Sequence, residues 1–162
     1  IGYDYGPKLL EFGKTQGLDL RKGSIQNVEG KYDAVILNHV AQHFTDFLGN
    51  MRELSQHLNP KGLVYVGLQN IENYGGAQLA NVHVYYFSPR TLKHYMQICG
   101  YKLIDFGPDR KIHMYGIFEK SNETENPNAL KDEFNQILQK VRKGKIKDGI
   151  LKVMRALGLK KD

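Results

Sequence analysis

Tyr32-Asp33-Ala34-Val35-Ile36-Leu37 is a compact apolar run, the pattern expected of a strand covered on both faces of a parallel sheet. Around it, short apolar runs alternate with helix-length amphipathic segments, the mark of an α/β domain. On the N-terminal side, residues 1–4 read as a strand end, and a short strand is expected near Leu18–Leu20. Between them Pro7 opens a helix at its first turn, Leu9, Leu10 and Phe12 give it apolar contacts, and Gly17 closes it.

On the C-terminal side, Thr45 is the expected N-cap of a helix in which Phe47, Met51, Leu54 and Leu58 share one face, stopped by Asn59-Pro60-Lys61-Gly62. Leu63–Leu68 is the next strand. Residues 69–86, with Gly75-Gly76, have neither periodicity and read as a long loop, the kind that often forms a functional lid. Ser88-Pro89 and Gly100 bracket a helix over 89–99. Tyr101–Phe106 and Ile112–Phe118 then form two strands joined by Gly107-Pro108-Asp109-Arg110, a connection short enough for an antiparallel pair.

The 162 residues are about one domain in length, with 41% hydrophobic and 25% charged residues, which excludes a disordered chain. No apolar run approaches the ~18 residues of a membrane span. The single cysteine, Cys99, cannot form an internal disulfide or a thiolate cage, so a reducing, cytoplasmic setting and a packing role are expected. The sequence opens on Ile1-Gly2-Tyr3-Asp4, without an initiator methionine or the features of a signal peptide. This leads to the expectation that it is a piece of a longer protein.

The formal charge of +6 is unevenly spread. Residues 140–162 hold nine basic side chains against Asp148 and Asp162, a net +7 that leaves −1 for residues 1–139. After a polar linker over 121–128, two amphipathic helices are expected, one carrying Leu130, Phe134, Ile137, Leu138 and Val141, the other Ile146 to Leu157. No aromatic residue follows Phe134 to stack on a base or anchor in a bilayer. The tail therefore reads as a solvated basic extension over 129–160, with nucleic acid disfavoured and weak membrane-surface contact as the alternative.

In open α/β sheets, ligands bind beyond the carboxyl ends of the strands. Asp4 ends the first strand and can accept hydrogen bonds from both hydroxyls of a ribose; a turn or helix-capping aspartate is the competing reading. Gly23-Ser24-Ile25 can offer an apolar side chain and backbone groups to an adenine, or be an ordinary polar turn. Asn38-His39 follows the strongest strand, where polar residues also occur simply because the strand surfaces. His39 and His43 have the spacing of paired helical zinc ligands, but no adjacent glutamate and no evident third ligand accompany them, so no metal is assigned.

The order of Gly2-Tyr3-Asp4-Tyr5-Gly6-Pro7, the 32–40 segment with Gln42-His43-Phe44, Leu58-Asn59-Pro60-Lys61-Gly62, and His83-Val84-Tyr85-Tyr86-Phe87-Ser88-Pro89 before Leu92 and Gly100-Tyr101 resembles the class I S-adenosylmethionine-dependent methyltransferases. The resemblance covers about residues 1–120, which it implies are part of a methyltransferase domain. It implies an α/β, Rossmann-like, mostly parallel sheet ending in an antiparallel hairpin, with the helical extension appended. It also implies S-adenosylmethionine as cofactor and a small-molecule acceptor. Asp4 would bind the cofactor ribose, Tyr5 would pack on adenine, Ser24 and Ile25 would border it, and Asn38 and His39 would lie near the methionine portion. Many family members carry an acid where this chain has Ser24, and Gln42-His43 stands where Glu-His is common. The family's first strand and glycine-rich loop would precede Ile1, so the cofactor site in this chain is expected to be incomplete.

Methyl transfer is an in-line displacement in which alignment matters most and a base serves a poorly acidic nucleophile. His83 and Tyr74, on the long loop, are the candidates for contacting substrate. A histidine anchoring the loop and an aromatic packing it onto the domain are the structural alternatives. Two other readings compete with an enzyme of this family. One is a non-catalytic binding module of the same fold. The other is a nicotinamide-dependent Rossmann enzyme, disfavoured by the terminal hairpin and by the absence of a Tyr-x-x-x-Lys pair.

Overall fold

A computed structural model describes residues 1–74, 79, 81–109, 112–121 and 134–156 of the chain. The 32–37 run forms strand β3 (Tyr32–Asn38), preceded by β1 (Gly2–Asp4), helix α1 (Pro7–Thr15) and β2 (Leu20–Lys22). It is followed by α2 (Phe47–Gln56), β4 (Leu58–Gln69), α3 (Pro89–Ile98), β5 (Tyr101–Pro108), β6 (His113–Lys120) and α4 (Phe134–Ala156). The expected strand at 18–20 thus lies two residues later, because Gly17 (φ 73°) carries the chain out of α1 and Leu18 N bonds back to Gly13 O at 3.0 Å. A Cβ on Gly13 would stand 2.0 Å from Leu20 Cδ1, so α1 can lie this close to β2 only with glycine there.

The strands form an α/β array in two hydrogen-bonded groups. β1 pairs in parallel with β2; the other group runs β3-β4-β6-β5, with β3 parallel to β4 and β6 antiparallel to both β4 and β5. The last strand is therefore an inner one and β5 the edge, the hairpin termination expected of the sequence. Arg110, part of the connection between β5 and β6, lies outside the described residues.

One face of the larger sheet holds the core. Val64, Val66 and Leu68 of β4 are at most 1% exposed and meet Phe47, Met51 and Leu54 of α2 and Leu92 and Met96 of α3. A large apolar side chain buried to this degree is worth about 1.5–3 kcal/mol. Leu58 is also buried but opens β4 instead of extending α2, and a register break at Tyr32/Ala34 accommodates 59–62 as the chain enters the sheet. Helix α2 is capped by Asp46, not Thr45: the Asp46 carboxylate accepts from Gly49 N at 2.8 Å, and its charge suits the positive end of the helix. Ser88 caps α3 as the sequence indicates, in a reciprocal arrangement with Thr91. Lys120 ties the end of β6 to the end of α2 by donating to Ser55 O (2.7 Å) and Leu58 O (3.2 Å).

Two further expectations change. β3 is not covered on both faces: Val35 and Leu37 pack on the core, while Ile36 is 72% exposed. Side chains alternate along a strand, so Ile36 points to the face opposite the one that α2 and α3 cover. The tail forms one continuous 23-residue helix instead of two; Gly144 and Gly149 lower helix propensity but do not break it. Leu130, Leu157, Gly75, Gly76 and residues 122–128 of the expected linker lie outside the described residues. Among the described residues no helix is long and apolar enough to cross a membrane.

Candidate functional site

Among the described residues β1 and β3 each lack a partner on their facing edges, and a cleft of about 450 Å³ opens between them, bordered by Asp4, Tyr5, Ser24, Ile25, Ile36 and Phe44 among others. Parallel pairing of β1 with β2 brings the two strand ends together, and Gly23 N donates to Asp4 O at 3.2 Å. Four of the sequence-predicted residues are thereby gathered at one end of the cleft.

Asp4 Oδ1 accepts from Gly6 N at 2.6 Å, which fixes the carboxylate at the turn into α1. The turn role and a ligand role are compatible, because an ionised carboxylate has about four acceptor positions. Tyr5 is 65% exposed beside it. Ser24 caps a 3-10 turn (Ile25–Asn27): its N donates to Asn27 Oδ1 at 3.0 Å, and its Oγ accepts from Gln26 N at 3.3 Å and also contacts Gln26 Oε1. That turn buries Ile25. Gly23 is required here: its φ is 156°, and a Cβ would meet Asn27 at 2.7 Å. Asp4 and Ile25 thus give this end of the cleft an anionic and an apolar component.

Asn38 and His39 are set apart from this group and do not line the cleft. Asn38 ends β3 opposite Gly67, and its Oδ1 lies over that residue, 2.7 Å from where a Cβ would be. His39 takes the left-handed conformation (φ 55°), a sparsely populated one for a residue with a side chain. It is held by His39 N donating to Gly67 O at 2.8 Å and by an edge-to-face contact with His113, ring centroids 4.8 Å apart. His39 and His43 do not share a helical face. His43 belongs to a 3-10 turn (Ala41–His43) and its ring meets His83.

That turn grips the long loop. Gln42 O accepts from Val84 N (2.9 Å) and Tyr85 N (3.1 Å), and His43 Nδ1 donates to Val82 O (2.9 Å). His83 is held between His43 (centroids 4.9 Å) and Tyr86 (5.6 Å). Its Nδ1 is buried with no hydrogen-bond partner among the described residues. Burial first, and His43 second, lower its pKa below the usual histidine value and favour the neutral ring.

Tyr74 is placed differently. It is 5% exposed, packed with Ile71 and Val141 in a small second core and set edge-on to Tyr86 at 5.9 Å. Burial, with a smaller contribution from Tyr86, pushes its pKa up to about 12, so the phenol stays protonated. Helix α4 completes this small core, and Lys140 Nζ reaches Glu72 Oε2 at 3.4 Å. Gln42 and His43 are the residues that sequence reasoning passes over as a clasp. The local signal is only a polar pair after a strand, and their partners lie some forty positions further along the chain.

The model of a methyltransferase domain family matches residues 11–105, more than half of the chain. No curated protein sequence matches it. Among solved structures, the fold is similar to an S-adenosylmethionine-dependent methyltransferase of Thermotoga maritima described as a possible histamine N-methyltransferase. The identity is 16%, the TM-score 0.61, and 75% of this chain and 73% of that one are covered. A second S-adenosylmethionine-dependent methyltransferase, from Mesorhizobium loti, gives 12% identity and a TM-score of 0.61 over 73% of this chain and 78% of that one. The 1,6-didemethyltoxoflavin-N1-methyltransferase of Burkholderia thailandensis, solved with S-adenosylhomocysteine, gives 12% and 0.56 over 74% and 60%. With the domain model running from within α1 into β5, over more than half of its residues, the chain belongs to the methyltransferase domain family.

Proposed function

We propose that the chain carries the adenosine-binding edge and the acceptor side of an enzyme that transfers a methyl group from S-adenosylmethionine to a small molecule. The observation that carries this reading is the convergence of Asp4, Tyr5, Ser24 and Ile25 at one end of the cleft between β1 and β3. The donor set fits the cofactor. Asp4 keeps acceptor capacity for ribose hydroxyls after binding Gly6 N, and Ile25 with the exposed Tyr5 offers apolar surface to a purine. Asn38, the last residue of β3, and His39 just after it would serve the methionine portion.

When bound, the cofactor's sulfonium supplies an electrophilic methyl group. The protein's contribution is alignment, and the removal of a proton where the acceptor needs it. His83, clasped by the 3-10 turn and favoured in its neutral form, is suited to take that proton. Tyr74 acts from behind, as part of the wall that Tyr86 and His83 rest on. The buried free thiol of Cys99 fits a reducing, cytoplasmic setting.

The unpartnered edges of β1 and β3 support a further element of this proposal: a parallel strand with its glycine-rich loop, from elsewhere in the full protein, fills the cleft and completes the cofactor site. Calorimetric titration with S-adenosylhomocysteine tests both parts. Residues 1–162 alone are expected to bind poorly, and the product of the complete reading frame to bind well. Tight binding by residues 1–162 would sink the proposed strand, and no binding by the complete product would sink the cofactor assignment.

A further inference from the structure

We propose that the outward face of α4 is a docking surface for an anionic lipid bilayer. The orientation of the helix is set by its inner side, where Val141 is 8% exposed against Ile71 and Tyr74, Ile137 packs one turn earlier, and Lys140 pairs with Glu72. Ile150 lies nine residues beyond Val141, about two and a half turns at 3.6 residues per turn, and so on the opposite side. Ile146 is one turn before it. These two isoleucines are 64% and 56% exposed (Ile146 and Ile150), an apolar pair at i, i+4 that none of the described residues covers.

The pair is flanked by cations. Lys143 and Lys147 each sit three residues before an isoleucine, Arg142 sits four before Ile146, and all three are exposed. Side chains at these spacings are neighbours on a helix surface. Apolar residues between snorkelling cations are what a helix lying in a headgroup layer needs: the isoleucines enter the acyl boundary and the lysines reach phosphates. Nucleic acid would use the same cations, but gains nothing from two exposed isoleucines. The described part of α4 beyond Phe134 also has no aromatic ring to stack on bases. The bilayer is therefore the favoured partner.

The test is co-sedimentation of the full chain with vesicles of phosphatidylcholine containing one third phosphatidylglycerol, with pure phosphatidylcholine as control. Binding is expected on the anionic vesicles, falling as salt is raised, and little on the neutral ones. Ile146→Asp with Ile150→Asp should lower the partition coefficient by roughly tenfold or more, and Lys143→Gln with Lys147→Gln by a similar factor. Circular dichroism and a melting curve on each variant establish that the fold survives. Three results would overturn the proposal: no binding of the parent chain to anionic vesicles, unchanged binding by a folded Ile146/Ile150 variant, or a short DNA duplex displacing the protein from vesicles.

Discussion

Replacing Asp4 by asparagine separates its turn role from the ribose role proposed for it. The amide oxygen can still accept from Gly6 N, a bond of 2.6 Å in the parent, so the turn into α1 survives. The group then facing a ribose hydroxyl is neutral, and with its oxygen committed to Gly6 it presents N–H where an acceptor is needed. A hydrogen bond to a charged group contributes about 1.5–3 kcal/mol, so Asp4→Asn should weaken cofactor binding roughly 10- to 150-fold. Asp4→Ala removes the turn bond as well and should cost about 0.5–1.5 kcal/mol of stability that Asp4→Asn does not. The assay is titration calorimetry with S-adenosylhomocysteine on the product of the complete reading frame, beside thermal unfolding of each variant. Asp4→Asn binding within about twofold of the parent, a difference of only ~0.4 kcal/mol, would refute the ribose role. Equal destabilisation by both substitutions would leave Asp4 a turn residue.

The acceptor side and the α4 contact each give a prediction. His83 has a folded-state pKa below its unfolded value, so the unfolded chain binds the proton more readily. Its contribution to stability is therefore complete above about pH 6.5, the unperturbed histidine value, and is lost as pH falls through the lower folded value. Denaturant titrations from neutral to mildly acidic pH should show this loss, and His83→Asn should flatten it; an equal slope in both proteins would contradict the burial argument. Val141→Ala removes two methyl groups from the small core around Ile71 and Tyr74, and should cost about 2 kcal/mol of local stability. Hydrogen exchange should then quicken over residues 71–74 and 134–156 without change in β4 or α3; uniform protection would mean that α4 is not held there.

The parts of the fold that were legible in the sequence depend on local chemistry. β3 and the hairpin strands follow from apolar runs between turn residues, and α3 from Ser88-Pro89 at one end and Gly100 (φ 80°) at the other. Asp4, Ser24 and Ile25 are candidates because strand ends are where α/β sheets bind ligands, and all three line the cleft between β1 and β3. What the sequence concealed depends on partners distant along the chain. A continuous apolar run does not say which face of the strand another element will cover, so the exposure of Ile36 could not be read from Tyr32–Leu37. The burial of Tyr74 depends on Val141, sixty-seven positions later. The clasp of Gln42 and His43 on 82–85 rests mostly on backbone groups, which carry no residue-specific signal. The continuity of α4 likewise rests on a distant contact: Gly144 and Gly149 each cost only about 1 kcal/mol relative to alanine, and the packing of Val141 against Ile71 and Tyr74 anchors the turn just before Gly144.

The central claim is the location of the cofactor site, and amide chemical-shift mapping tests it most directly. At 18.5 kDa the chain suits such spectra, and S-adenosylhomocysteine at about 1 mM reports even weak binding. The account predicts shifts concentrated at Tyr3–Gly6, Gly23–Ile25 and Asn38–His39, with α4 silent. Shifts centred on α4, or on any surface that leaves Asp4 and Ile25 unmoved, would contradict it.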